Sequence, residues 1–334
     1  MSRVLVTGAA GFIGYHLSRL LLSQGHEVIG FDGLTPYYDP ELKHTRLALL
    51  RESKAFSFVP GMLEDDALLR KMLADARADI VVHLAAQAGV RYSLEAPFSY
   101  VQSNIVGTAN LLQALLAYPV RHFIFASTSS VYGGNVKIPF SENDRADHPV
   151  SLYAATKKAG ESMVHAYSHL WGLPATCVRF FTVYGPYGRP DMAPIKFASA
   201  IRAGRPIDVY NHGHMRRDFT YVDDLVDAMA RLIPVVPQMD NPVPGDSLSA
   251  VAPFRVVNIG GGHAIGLMDF IAALEHALGL KAVLNMVPMQ RGDVVATEAD
   301  TTLLHTLVGA LQDTGVEEGV RRFVEWFTTY AKKD

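Results

Sequence analysis

The stretch Arg3-Val4-Leu5-Val6-Thr7-Gly8-Ala9-Ala10-Gly11-Phe12-Ile13-Gly14 decides the fold. Arg3 to Thr7 is a short run of strand type, and beyond Gly14 the residues Leu17, Leu20 and Leu21 recur at helical spacing. Strand, glycine turn and helix in this order are the context that a dinucleotide-binding fingerprint requires. Gly8 permits the tight turn, Gly11 lets a pyrophosphate reach the backbone at the helix N-terminus, and Gly14 lets helix and strand pack closely. The spacing is GxxGxxG, a variant of the GxGxxG form, and Phe12 and Ile13 between its last glycines belong to the same cofactor-facing turn.

Working outward, a second strand, Glu27 to Phe31, ends at Asp32, near the offset expected of an acid that accepts from the adenosine ribose hydroxyls. A carboxylate there repels a 2′-phosphate, so NAD is expected rather than NADP. Strand-like and helical runs then alternate: Phe56 to Pro60, Asp65 to Leu73, Ile80 to Leu84, Pro97 to Ala117, His122 to Ala126, Ser151 to Trp171, Ala175 to Phe180. This alternation predicts an α/β fold with a doubly wound parallel sheet of Rossmann type. The fourth strand ends at Leu84 and runs into Ala85-Ala86-Gln87-Ala88-Gly89, and small residues there leave room for the cofactor at the carboxyl ends of the strands.

After Phe181 the alternation breaks, and Pro186, Gly188, Pro190 and Pro194 mark an irregular segment suited to a pocket wall. The expected division is an NAD-binding domain at 1–187, with 222–233 and 255–262 returning to it. A smaller C-terminal substrate-binding lobe takes 188–221 and 263–334. The Pro-, Asp- and Ser-rich stretch 234–254 is expected to be a mobile loop.

Tyr153 and Lys157 lie four residues apart and share one face of a helix. A free phenol titrates near about pH 10, and a neighbouring ammonium lowers that value, so the pair is a candidate proton-transfer device. Thr128, in the run Ser127-Thr128-Ser129-Ser130 that follows the fifth strand, sits at the crevice end of the sheet, where its hydroxyl can relay the phenol's proton or bind a substrate oxygen. His165 and His169 have metal-ligand spacing, but no third ligand stands out and they are taken as ordinary helix residues; no metal is expected.

Hydrophobic residues make up 49% and charged residues 19% of the 334 residues, which indicates a compact globular chain. A formal charge of −3 gives no basic footprint for nucleic acid. Cys177 is the only cysteine, no apolar run approaches a membrane span, and Val4-Leu5-Val6 is too short for a signal-peptide core. A cytoplasmic protein without membrane or nucleic-acid partners is expected.

Several segments together carry a family resemblance: GAAGFIG from Gly8, LAAQAGVRYS from Leu84, STSSVYG from Ser127, SLYAATKKAGE from Ser151, RFFTVYGPYGRPDM from Arg179 and RRDFTYVDD from Arg216. The chain resembles the extended short-chain dehydrogenase/reductases, and within them the nucleotide-sugar epimerases. Pro36-Tyr37-Tyr38-Asp39, Ala86 to Arg91 and Gly188 to Met192 point to the UDP-glucuronate 4-epimerases. The resemblance implies that Tyr153, as phenolate, removes the proton of the sugar 4-hydroxyl while hydride passes from C4 to a retained NAD. The 4-keto sugar turns over in the site and takes the hydride back on its other face. Lys157 would hold the nicotinamide ribose and depress the Tyr153 pKa, and Thr128 would steady the 4-hydroxyl proton. Phe180 would join the cofactor contacts. Arg91, Ser127, Thr182 and Arg189 would meet the sugar, with Arg189 clamping a uronate carboxylate by two parallel hydrogen bonds. Arg217, Arg291 and Asp293 would meet the nucleotide.

Ser129 and Ser130 stand where related 4,6-dehydratases carry Asp-Glu, and the glutamate of related decarboxylases is missing, so both reactions are disfavoured. UDP-galactose 4-epimerisation, or epimerisation of another NDP-sugar, is the alternative, and a non-catalytic NAD-binding protein the remote one. In two places the chain departs from the family pattern. Gly61-Met62 replaces a Gly-Asp pair whose Asp touches the adenine, and Gly33 follows Asp32 where Asn is common. A homodimer through helices 97–117 and 151–171 is also implied by the resemblance.

Overall fold

Strands that are apolar along their whole length must be covered on both faces, which in a parallel sheet is done by crossover helices. The structure, a computed structural model, describes residues 1–290 and 292–331 and has this arrangement. Strands β1 (Arg3–Thr7), β2 (Glu27–Asp32), β3 (Phe56–Pro60), β4 (Ile80–His83), β5 (His122–Thr128) and β6 (Ala175–Phe180) lie in the first half. β7 (Thr182–Tyr184), β8 (Pro206–Tyr210), β9 (Arg216–Tyr221), β10 (Phe254–Ile259), β11 (Ala264–Gly266) and β12 (Val283–Val287) follow. The main sheet has seven strands in the order β10-β6-β5-β4-β1-β2-β3, all paired in parallel. The order reverses between β1 and β4, and this reversal opens a crevice at the carboxyl ends of the strands. Side chains alternate across the sheet, so Val4 and Val6 enter one core while Leu5 enters the other.

A second lobe gathers around Phe219, Phe270, Phe323 and Phe327. It holds the pair β12-β8 and the sheet β11-β9-β7. Its helices are Ala193–Arg202, Leu267–Leu278 and Val316–Tyr330. Phe219 and Phe270 stack with centroids 4.2 Å apart at its centre.

Several elements differ from expectation. The helix expected at 97–117 is α-helical over Pro97–Tyr100 and Gly107–Leu115, with π-helical turns over Val101–Val106 between them. Asn104 lies in the widened stretch and bonds three groups at once: it accepts from Gln87 N at 2.8 Å and donates to Gln87 O and Thr156 Oγ1, each at 3.0 Å. Strand β12 was not anticipated, because it is exposed at nearly every position and shows no alternation. Helix Thr302–Val308 was assigned to the second lobe, yet Leu303 and Leu304 pack into the core of the first.

The stretch 234–254, expected to be mobile, is pinned. Asp246 takes two bonds from Arg255, at 2.7 and 2.8 Å, and accepts from Val243 N and Leu248 N. His165 and His169 hold its far end through Ser249 Oγ at 2.9 Å and Val251 O at 2.7 Å. Their helical spacing therefore serves a loop contact. Among the described residues, no helix is long and apolar enough to cross a membrane.

Helix Phe12–Ser23 crosses the sheet so closely that a Cβ on Gly14 would fall inside the Gly8 carbonyl oxygen. Both atoms belong to backbone, so neither can rotate away. Gly14→Ala is expected to destabilise the protein by about 3 kcal/mol or more, read from denaturant midpoints; a midpoint equal to wild type would contradict this packing.

Candidate active site

The crevice between the lobes is a cavity of about 820 Å³. Every singled-out residue that the structure describes borders it: Gly8, Gly11, Phe12, Ile13, Gly14, Asp32, Leu84, Ala85, Ala86, Gln87, Tyr153, Lys157 and Phe180 on the cofactor side, and Arg91, Ser127, Thr128, Thr182, Arg189, Arg217 and Asp293 on the substrate side. Arg291 lies outside the described residues.

At the floor, Gly8 turns with φ +73°, and a Cβ there would lie 2.8 Å from Ala85 N. Gly8 N donates to Phe31 O at 2.7 Å. Gly11 starts the first helix with no side-chain cap, so its opening N–H groups, near Phe12 and Ile13, are free to meet an anion. Asp32 ends β2, accepting from Ala10 N at 3.1 Å and Leu34 N at 2.8 Å. These two bonds hold its carboxylate at the cavity wall. This uncapped cradle beside an anchored acid fits the pyrophosphate and ribose of a dinucleotide.

Tyr153 stands in the first turn of helix Leu152–Trp171, which Ser151 caps by accepting from Ala154 N at 3.1 Å. Thr128 ends β5, and its hydroxyl interacts with the Tyr153 phenol. The Thr128 hydroxyl also accepts from Ser130 N at 3.2 Å. Lys157, one helical turn on, is buried and donates to Ala126 O at 2.9 Å, with its ammonium 5.1 Å from the Phe125 ring centroid.

The expectation for the phenol's acidity requires correction. Burial raises the Tyr153 pKa above its ordinary value, against the lowering effects of Thr128 and Arg189. Lys157 does not offset it, because its ammonium is directed at the Ala126 carbonyl. Burial in turn pushes Lys157 down to about 8.

Behind these groups lies a buried polar layer. Glu161 receives Arg179 Nε at 2.8 Å and Nη2 at 2.9 Å, together with the Ser127 hydroxyl at 2.6 Å. Burial pushes the Glu161 carboxyl up, but the Arg179 guanidinium holds it below its ordinary value. Ser127, expected to touch substrate, thus borders the cavity while its hydroxyl is turned into this layer. It braces Thr128 from behind.

Arg189 reaches the cavity with its fork already engaged: Nε donates to Asp191 Oδ1 at 3.0 Å and Nη2 to Asp191 Oδ2. The two-bond clamp expected for a substrate carboxylate is therefore made to Asp191. Tyr37 donates to Asp191 at 3.0 Å and lies under the guanidinium, 5.6 Å from it. At the other end, Arg217 donates to Asp293 at 2.6 Å and to Val295 O at 3.1 Å. Arg91 lies 4.7 Å over the Tyr210 ring.

Sequence reasoning missed helix Pro40–Leu50 and the cations it brings to this site. Arg46, fully buried, donates to Ala10 O, Tyr38 Oη, Tyr187 O and Gly188 O, at 2.9, 2.8, 2.7 and 3.1 Å. It ties the glycine turn to the loop that carries Arg189. Lys43 lines the cavity one turn earlier. The signal was Arg46 three residues after Lys43, a helical pair beginning just past Tyr37-Tyr38-Asp39.

Comparison with known proteins agrees with this geometry. The model of the NAD dependent epimerase/dehydratase family matches residues 4–244. A probable UDP-glucuronate 4-epimerase of Rhizobium meliloti (strain 1021) is 54% identical over 329 residues, covering 97% of this chain and 96% of that protein. The UDP-glucuronic acid 4-epimerase of Bacillus cereus, solved with UDP-glucuronic acid and NAD, superposes with a TM-score of 0.87 at 32% identity over 98% of this chain and 99% of that one. A UDP-glucose 4-epimerase of Thermotoga maritima, solved with UDP-glucose, gives 0.85 at 29% identity, over 98% and 99%. The glycine cradle, the Tyr153-Lys157 helix and these likenesses along the whole chain lead to one statement: this chain belongs to the NAD dependent epimerase/dehydratase family.

Proposed function

We propose that the protein is an NAD-dependent isomerase that interconverts UDP-glucuronate and UDP-galacturonate through a 4-keto intermediate. The observation that carries this reading is the placement of the Tyr153 phenol beside Thr128 and Arg189, at the junction of the glycine cradle and the second lobe. A sugar lying there has its 4-hydroxyl at the phenol and its nucleotide toward Arg217. Tyr153 takes the 4-hydroxyl proton, Thr128 orients it, and the same phenol returns the proton after the sugar has turned. NAD, when bound, supplies the acceptor for the C4 hydride and the donor that gives it back. Lys157 would hold the ribose of the cofactor, and the positive charge of the oxidised cofactor would act against the burial that raises the Tyr153 pKa.

The uronate assignment rests on Arg189 and Thr182. A 4-keto uronate is a β-keto acid and loses CO₂ when its carboxylate is free to rotate out of the ring's plane. The Arg189 guanidinium and the Thr182 hydroxyl, both at the cavity, suit a carboxylate held fixed. Ser129 and Ser130 also border this space, and neither is an acid able to drive dehydration.

We further assign the chain to a homodimer in the cytoplasm. Phe98 is 81% exposed, Leu94 69%, Leu170 63% and Trp171 52%. Leu94 and Phe98 lie on the segments Tyr92–Glu95 and Pro97–Tyr100, and Leu170 and Trp171 at the far end of helix Leu152–Trp171, whose Tyr167 hydroxyl donates to Gln113 of helix Gly107–Leu115 at 2.9 Å. Exposed apolar side chains on helices that already touch suit a second copy packing against them. The buried free Cys177 suits a reducing compartment.

A proton NMR time course with UDP-glucuronate and no added cofactor should show UDP-galacturonate appearing. Tyr153→Phe is expected to slow it by about 10²–10⁴-fold. Turnover of UDP-glucose alone would overturn the uronate assignment, and a UDP-pentose product would mean decarboxylation. Sedimentation equilibrium should give a dimer that Phe98→Glu shifts toward monomer; a wild-type monomer would remove the dimer.

The protonation of Lys157 leaves a trace in stability. Its folded pKa, about 8, lies below the ordinary lysine value of 10.5, so the unfolded chain binds more protons between these limits. The resulting penalty is full below pH 8 and fades as pH rises. Between pH 8 and 10, the unliganded wild type should gain stability relative to Lys157→Met by on the order of 1 kcal/mol per pH unit. Parallel denaturation curves for the two across that range would show that Lys157 is not desolvated.

A further inference from the structure

Asp218, on β9, is fully buried, and its carboxylate is taken up by main-chain amides. Oδ1 accepts from Gly261 N at 2.6 Å, and Oδ2 accepts from Gly262 N at 3.1 Å and Ala299 N at 3.0 Å. The Thr220 hydroxyl donates to Oδ1 at 3.5 Å. Burial raises the Asp218 pKa, and these amides act against it. The run Gly260-Gly261-Gly262 makes room for the carboxylate. A Cβ on Gly260 would lie 2.8 Å from Oδ2, and one on Gly261 would lie 3.2 Å from Oδ1.

Three separate parts of the chain meet at this one side chain. β9 belongs to the small sheet of the second lobe, and the glycine run leaves β10 of the main sheet. Ala299 ends a stretch, 293–299, that lies along β9. Arg216 N donates to Val295 O at 3.0 Å, Thr297 N to Arg216 O at 3.2 Å and Asp218 N to Thr297 O at 2.9 Å. Successive side chains leave a strand on opposite faces, so Arg217 projects away from Asp218. It donates to Asp293 Oδ1 at 2.6 Å and to Val295 O at 3.1 Å, at the beginning of the same stretch. Arg217, Asp293, Val294 and Thr297 all border the cavity. The stretch is thus fastened by a side chain at each end, Arg217 at Asp293 and Asp218 at Ala299. The two fastenings differ in strength. The Asp293 carboxylate is about one-third exposed, so water and salt screen its pair with Arg217. The Asp218 bonds are buried and carry a charge, which makes them the stronger hold.

We propose that Asp218 is a positioning residue for substrate binding: by fixing Gly261, Gly262 and Ala299 it holds the stretch 293–299 against β9, and so sets Arg217 and Asp293 where the substrate's diphosphate is received. The assignment rests on the nucleotide-sugar reading given under Proposed function. It gives the buried charge a task at a distance, carried by the main chain of one strap. An amide cannot replace the carboxylate, because it offers one acceptor oxygen and turns N–H groups toward amides that are themselves donors.

The test is equilibrium binding of UDP and of uridine to the full-length protein, with steady-state kinetics on UDP-glucuronate and thermal melting, for wild type and Asp218→Asn, each alone and combined with Arg217→Gln. Displacement of Arg217 predicts UDP affinity about 10-fold lower in Asp218→Asn, with uridine, which has no diphosphate, bound within about twofold of wild type. KM should rise by about 10-fold and kcat stay within about threefold, as expected when binding is lost and chemistry is kept. In the Arg217→Gln background, Asp218→Asn should change UDP affinity by less than about twofold, because the residue it acts through is gone. A lower melting temperature with UDP affinity and KM unchanged would make Asp218 a structural carboxylate. Equal losses for UDP and uridine, or a loss that adds in full to that of Arg217→Gln, would show that it does not act through Arg217. Each of these results overturns the proposal. If Asp218→Asn does not fold, Gly261→Ala, whose Cβ presses on the same carboxylate, is read by the same criteria. A wild type that binds no UDP would strike the nucleotide-sugar reading itself, whereas UDP binding that Asp218→Asn leaves intact strikes this assignment alone.

Discussion

The approach of helix Phe12–Ser23 to the sheet is the constraint on which the rest depends. Gly14 meets the Gly8 carbonyl, and Gly8 meets the Ala85 amide, with no side chain between them. That contact sets how far the helix start projects past β1 and β4, and so fixes the depth of the crevice between these strands. A larger residue at either place would lift the helix and carry its free N–H groups away from the bottom of the cavity. The second lobe is built around this fixed floor: Arg46 hooks the glycine turn to the loop bearing Arg189, and His16 bonds the Pro186 carbonyl from the same helix at 2.9 Å.

Buried polar groups behind the cavity hold its walls together. Asn104 joins the end of β4 to helix Leu152–Trp171 through Gln87 and Thr156. Glu161 joins that helix to β5 and β6 through Ser127 and Arg179. The helix that carries Tyr153 and the strand that carries Thr128 are therefore braced against each other by buried bonds. His83 belongs to the same interior layer. Burial and the nearby Lys157 push it to about 3, so it stays neutral and bonds the Thr7 and Thr108 hydroxyls, 2.7 and 3.1 Å away.

The glycine turn, Asp32 and the Tyr153-Lys157 pair were legible in the sequence because their spacing follows from local geometry: an offset along a strand, one turn of a helix. The residues that hold them were not. Asn104 looked like one polar position in a helix, and only the π-helical turns bring it to Gln87. Ser127 was placed with the substrate because hydroxyls at strand ends usually face a crevice, whereas here a buried glutamate competes for it. Arg189 was recognised as a cation for the site, but its bond to Asp191, two residues on, is a matter of loop shape. The sharper acidity expected of Tyr153 was argued from a neighbouring charge, while burial, which a sequence does not display, outweighs it.

The order in which the chain visits the two lobes has a further consequence. β10 pairs with β6, yet the segment between them builds β7, β8 and β9 of the other lobe before the chain returns. On the ribosome, β6 emerges long before its outer neighbour exists. During that interval it presents a bare row of amide and carbonyl groups on an apolar strand, a template for pairing with other nascent chains. β6 gains its outer neighbour only when Ile259 has emerged, and until then folding competes with pairing at that unfinished edge.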